Sequence, residues 1–257
     1  MELISKWTSV TPSLTSKFLV EFFATMFFHF LGSLSATPWG NGIVLIGLVY
    51  YAAKISNAHI NPAITLAFSM LGYHNPIEVI VYWIAQVSGA IFGALLLALL
   101  VPNLSIRDNI TTQLYSGCFT STLSHWAIFG FELIGTLSFL LPIYAMLWLT
   151  THKDAFGSSG ALIVGISLVG NALAIAPFTG AAFNPARVIA SPVVFDCNNS
   201  NYIGYYIFGE LVGAALVCLF IVPWYGVPID AWYLHLLPEK GQNAFKKVYV
   251  APKRNYV

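Results

Sequence analysis

Charge is what this chain has least of. Of its 257 residues, 11 are Lys or Arg and 10 are Asp or Glu, so 8% are charged where an ordinary soluble domain carries roughly 25%. That shortage excludes a water-soluble domain, and the 58% hydrophobic content makes lipid the natural surroundings. Also missing are a nucleophile–base pair and any cluster of metal-ligating residues. No enzyme, cofactor or nucleic-acid partner is therefore expected. Cysteine is scarce as well, with Cys118, Cys197 and Cys218 the three copies.

What is present comes in long apolar runs. Phe18 to Ala53 holds one Asp, Glu, Lys or Arg, which is Glu21, and the runs Val79 to Ile106 and Ala155 to Ala186 hold none. Each exceeds the roughly 20 residues that cross a bilayer. Six long helices are predicted, over about 18–36, 42–57, 79–101, 126–149, 158–177 and 202–223. Two further apolar stretches, Ile64 to Leu71 and Val188 to Phe195, are too short to cross and read as loops or as half-helices.

Lys6, Lys17, Lys54, Lys153, Lys240, Lys246, Lys247, Lys253 and Arg254 fall on one side under this count, with only Arg107 opposite and Arg187 in a half-helix. Both termini are then cytoplasmic. The first helix lacks a cleavage site of the signal-peptide kind, so it is expected to be retained. Asn103, Asn109 and Asn198 each begin an acceptor triplet for N-glycosylation, all on the expected outer side. Cys118 and Cys197 lie outside too, either bonded to each other or as two free thiols, whereas Cys218 falls in the sixth span.

The chain is a duplicated unit. Glu21 recurs as Glu132, Asn61-Pro62-Ala63 as Asn184-Pro185-Ala186, and the run from Tyr82 through Gln86 to Gly89 as the run from Tyr206 through Glu210 to Gly213. Three spans per copy is an odd number, so the second copy is inverted relative to the first. Inverted repeats place their functional site near the midplane, where broken helices meet. Equivalent positions in the two copies make the short apolar stretches half-helices entering from opposite faces. The fold class is an all-α membrane protein of six transmembrane helices plus two half-helices, with a cytoplasmic N-terminus at 1–17, a channel domain at 18–224 (repeats at about 18–105 and 126–224) and a cytoplasmic tail at 225–257.

Asn is a favoured N-cap and Pro suits the first helical turn, so each Asn-Pro-Ala triplet is a helix start. Two half-helices meeting there place about half a positive charge each at the membrane centre. Cations meet a barrier, and water accepting from both Asn amides has its chain of donors interrupted, which opposes proton hopping. Before each triplet the chain is expected to run extended, with the carbonyls of Asn57, Ala58, His59, Ile60, Gly180 and Ala182 facing the pore. Glu21 and Glu132 are placed to accept hydrogen bonds from those loops, while Phe28, Phe139 and Phe183 are expected to line an apolar wall.

The stretches 56–65 (SNAHINPAIT) and 179–187 (TGAAFNPAR) resemble the signature loops of the aquaporin, or major intrinsic protein, family. The resemblance covers about residues 15–225 and includes both triplets, Arg187, Glu21, Glu132 and Gln86. It implies a right-handed bundle with one pore per chain, assembled as a homotetramer. It further implies an outer filter formed by Asn41, Ala172, Ala181 and Arg187, and a loop-anchoring role for His59. Several positions depart from the family pattern. Asn41 and Ala172 are small where water-selective members carry an aromatic ring and often a His. Val188 stands where glycerol facilitators usually carry Asp. Asn57 replaces a Gly, acceptable if the backbone is left-handed there. Glu210 replaces a common Pro and is read as packed between protomers or lying at the lipid edge. Ala181 occupies the position of a mercury-sensitive Cys, so no block by mercurials is expected there.

The implied function is passive conduction of water and small neutral solutes such as glycerol and urea, with protons and ions excluded, in a plasma membrane or endomembrane. A strictly water-selective aquaporin is one alternative. A secondary transporter, which also uses inverted repeats, and a junctional membrane protein are others. The basic tail residues Lys246, Lys247, Lys253 and Arg254 suit anionic lipid headgroups.

Overall fold

A computed structural model describes residues 12–101, 118–119, 121–150, 159–195, 197, 201–227 and 231–249. Within these lie six long helices: α1 (Leu14–Ser35), α2 (Pro38–Ser56), α4 (Pro76–Leu100), α5 (His125–Thr150), α6 (Gly160–Thr179) and α8 (Ile203–Tyr225). Two short ones, α3 (Pro62–Met70) and α7 (Pro185–Val194), are the half-helices. Five of the long helices are apolar and long enough to cross a membrane. The remaining one, α2, packs between α1 and α6.

Caps explain where the boundaries differ from the predicted ones. Thr37 accepts from the Gly40 amide and Pro38 opens α2, so that helix begins four residues before its apolar run suggests. Asn75 and Glu78 form a capping box across Pro76, which starts α4 early. Helix α6 runs through Pro177 and stops at left-handed Gly180.

Close backbone approach holds each repeat together. A Cβ on Gly89 would lie 2.3 Å from the Phe22 carbonyl oxygen and one on Gly93 2.4 Å from that of Met26, so α4 lies directly on α1. In the second repeat, Gly209 and Gly213 meet the carbonyls of Phe129 and Leu133 at 2.6 and 2.5 Å, laying α8 on α5. Small residues four apart are how helices associate where lipid removes the hydrophobic drive between them. Large apolar side chains such as Leu99, Trp224 and Ile77 point outward, while Glu21, Thr25, His29, Gln86, Glu132, Thr136 and Glu210 are buried. These polar groups are therefore held inside the bundle, away from an apolar rim, as a lipid solvent requires.

Both half-helices are wedged between α4 and α8 and touch each other. Residues 231–249 continue past the bundle as a 3₁₀ turn (Trp232–Leu236) and helix α9 (Glu239–Tyr249). The turn docks under α3: the Trp232 indole donates to the Ser69 carbonyl at 2.9 Å, and its backbone amide donates to that of Gly72 at 3.2 Å. Ser69 lies in the last turn of α3 and Gly72 just past it, so the turn is seated on the C-terminal end of that half-helix.

Candidate functional site

The two triplets meet as reciprocal clasps. Asn61 caps α3 by accepting from the Ala63 amide at 2.8 Å, and its amide nitrogen donates across to the Phe183 carbonyl at 2.6 Å. Asn184 accepts from the Ala186 amide at 3.1 Å and donates to the Ile60 carbonyl at 2.9 Å. A side-chain amide carries two N–H groups, so each Asn keeps one donor beyond the clasp. Both N-termini point at one spot, and their positive dipole ends add there.

The loops ahead of the triplets are not extended as expected. Asn57, Ala58 and Ile60 have φ of 65°, 54° and 56°, and Gly180, Ala181 and Phe183 have 86°, 53° and 48°. Left-handed residues in place of a strand turn successive amides toward one acceptor behind the loop. Glu21 takes the His59 amide at 2.9 Å, the Ile60 amide at 2.7 Å, the Ser56 hydroxyl at 2.6 Å and the Gln86 side-chain amide at 2.8 Å. Glu132 takes the Thr179 hydroxyl at 2.5 Å and the amides of Ala182 and Phe183 at 3.3 and 3.0 Å. Charged acceptors offset the strain of non-glycine residues at positive φ.

Glu210 lies neither between protomers nor at the lipid edge. It is fully buried inside the chain, accepts from the Asn184 amide at 2.8 Å, and its Oε2 has no hydrogen-bond partner among the described residues. The packing of Gly209 and Gly213 against α5 turns the intervening residue inward, toward the second loop. It thus occupies the place that Gln86 holds in the first repeat, where the amide donates both to Glu21 and, at 2.9 Å, to Thr65.

Other loop anchors were missed from sequence. Ser56 and Thr179 each precede their Asn by the same offset, and each gives its carbonyl to a tyrosine, Tyr82 at 3.0 Å and Tyr206 at 2.7 Å. Both tyrosines sit in the recurring span motif, so the pairing was legible as another repeat landmark. His59 contacts the Thr65 hydroxyl at 3.0 Å, with Phe68, His74 and Tyr82 around its ring. His74, in the turn outside the spans, contacts Glu78 at 3.2 Å and Asn57 at 3.5 Å. Burial holds its pKa below the ordinary histidine value, with Glu78 opposing.

Three cavities follow one another through the bundle. The one at the Arg187 end, about 200 Å³, is lined by Asn41, Ala172, Ala181 and Arg187 together with Cys118 and Phe119. The central one, about 10 Å³, lies among Phe28, Phe139, Phe183, Asn61, Asn184 and His59. At the far end about 170 Å³ opens between Asn57, Ala58, Phe68 and Ile143. Leu168 borders both the first and second, and Ile64 both the second and third. One water needs about 10–15 Å³ of this kind of volume, so the centre has room for about one water. Arg187 is positioned by Asn41, whose oxygen accepts from Nη1 at 2.9 Å while its amide donates to the Gly32 and Thr37 carbonyls. Cys118 and Cys197 are bonded to each other. Asn103, Asn109 and Asn198 lie outside the described residues.

A family model described as Major intrinsic protein matches residues 7–221. The lens fiber major intrinsic protein of Ovis aries is 32% identical over 223 residues, covering 82% of this chain and 81% of the relative. Aquaporin TIP1-2 of Musa acuminata is 31% identical over 227 residues, covering 81% and 86%. In fold, the chain is similar to the aquaglyceroporin from Plasmodium falciparum, with a TM-score of 0.70 at 23% identity over 81% of this chain and 96% of that one.

Proposed function

Because the chain belongs to the major intrinsic protein family and is a membrane channel of that family, we propose that it conducts water and small neutral solutes such as glycerol and urea, and excludes protons and cations. The observation that carries this reading is the reciprocal clasp of Asn61 and Asn184 at the facing N-termini of α3 and α7. Each clasp fixes one amide N–H and leaves the other for a passing oxygen. A water held by both donates away from the centre, so the file of donors reverses there and a proton has no continuous path. Cations meet two positive helix ends and then Arg187.

Solute range is set at the outer cavity. Asn41, Ala172 and Ala181 are small and the cavity beside Arg187 holds about 200 Å³, which favours passage of glycerol and urea. A strictly water-selective channel is the second reading, favoured by the central volume of about 10 Å³. The working unit is a homotetramer with one pore per chain, set in a plasma membrane or endomembrane with both termini cytoplasmic.

Stopped-flow light scattering on proteoliposomes tests this. Faster shrinkage than protein-free vesicles under an impermeant osmolyte, followed by re-swelling under glycerol and urea, is the expected result. Water flux equal to that of empty vesicles would overturn the proposal; water flux without solute flux selects the second reading. Asn41→Phe together with Ala172→His should lower glycerol flux more than water flux, and an unchanged ratio would remove these positions from the filter.

A further inference from the structure

The guanidinium of Arg187 lies between two aromatic rings, although the residues expected around it are small. Its Cζ is 5.0 Å from the ring centroid of Phe28 and 5.7 Å from that of Phe119. Phe28 belongs to α1 and borders the central cavity. Phe119 comes from the segment before α5, far in sequence from every pore-loop position, and borders the outer cavity.

Its placement is secured from every side. The preceding residue is bonded to Cys197, 79 residues later, just beyond α7. After it, the Ser121 hydroxyl donates to the Phe178 carbonyl at 2.8 Å, near the end of α6. The ring is 8% exposed, 5.9 Å from the Tyr206 ring, and lies over Gly180, where a Cβ would come within 2.8 Å of its Cδ1. A ring left on an outer segment for solubility or chance would not be buried and anchored at both neighbours.

We propose that Phe119, tethered by the Cys118–Cys197 bond, is a further wall of the outer constriction and narrows the aperture that Asn41, Ala172 and Ala181 leave open. This rests on the channel reading. The ring supplies steric and apolar surface from the outer segment, on the side that the small Asn41, Ala172 and Ala181 leave open. The disulfide is then a positioning element for selectivity: it holds the ring against Arg187 rather than merely closing a loop.

Phe119→Ala should raise the ratio of glycerol flux to water flux about tenfold, equivalent to roughly 1.4 kcal/mol of barrier. The double variant Cys118→Ser with Cys197→Ser should move the ratio the same way by a smaller factor. A ratio that stays at the wild-type value or falls in Phe119→Ala overturns the wall, and a double variant with the wild-type ratio overturns the tether. A second measurement does not depend on conduction. In a background with Cys218→Ser, the thiol of Ala172→Cys is labelled from outside with a methanethiosulfonate reagent. Adding Phe119→Ala should accelerate labelling about tenfold if the ring shields that position, a factor again worth roughly 1.4 kcal/mol; an equal rate overturns the placement. Faster labelling in a protein that passes no water would retain the wall and reject the channel reading.

Discussion

Glu21→Gln tests what holds the first pore loop. Four donors converge on the two carboxylate oxygens: Ser56 and His59 on Oε1, Ile60 and Gln86 on Oε2. Glutamine keeps the shape and one acceptor oxygen, but its amide nitrogen faces donors at the other site. The least costly placement sets that nitrogen at Oε1, where the Ser56 hydroxyl can turn to accept and the His59 amide is orphaned. One buried unsatisfied N–H costs about 1–3 kcal/mol. The left-handed Ile60, at about 1–2 kcal/mol, also loses the charge on the acceptor that offset it. A loss of roughly 2–4 kcal/mol is expected, or on the order of 4–16 °C in Tm at about 2–4 °C per kcal/mol. The second repeat calibrates this. Glu132 has three donors, the weakest being Ala182 at 3.3 Å, so Glu132→Gln orphans only that long bond and should cost less. Thermal unfolding in detergent, followed by tryptophan fluorescence, gives the order. A Tm for Glu21→Gln equal to wild type, or a larger loss for Glu132→Gln, would refute the anchoring account.

Glu210→Gln should go the other way: the oxygen that accepts from the Asn184 amide is kept, while a fully buried carboxylate whose Oε2 has no hydrogen-bond partner among the described residues gives way to a neutral group that is less costly to bury, so a higher Tm with water flux retained is expected, and a lower Tm counts against it. Gly72→Ala places a Cβ 2.3 Å from that of Ala231 at a φ of 95°, so Trp232 should lose its seat on α3 and trypsin should cut faster at Lys240; an unchanged rate would show that the tail is held elsewhere. His74 titrates below the ordinary value because it is buried, so on acidification the unfolded chain takes the proton first. Its contribution to stability is therefore present above about pH 6.5 and lost below it. His74→Gln should flatten part of the fall in Tm on going from neutral to acid pH, and an equally steep fall in the variant would remove His74 from the account.

The apolar runs, the triplets and the paired Glu21 and Glu132 carried most of the architecture, because in lipid each span must be apolar and each buried charge must have a reason. Caps moved the boundaries: Thr37-Pro38 and Asn75-Pro76 are polar or helix-breaking by composition yet helix-starting by geometry. The loops before the triplets read as extended since nothing in Ala58, Ile60 or Ala181 signals positive φ; the carboxylate behind them imposes it. Glu210 was misplaced because a helical residue's direction depends on which face its neighbours press against a partner, and the packing of Gly209 and Gly213 became visible only in three dimensions. Trp232 and Phe119 sit on segments whose contacts are non-local, which no periodicity reports.

The reciprocal clasp also bears on how the chain is made. Asn61 and Phe183 are 122 residues apart and Asn184 and Ile60 are 124, which at about 5–20 residues per second is roughly 6–25 seconds of synthesis. During that interval the first triplet exists without its counterpart, with an amide and a carbonyl that only the second half can satisfy. The early half is thus an unfinished surface inside the membrane, and the arrival of α7 is the event that closes it.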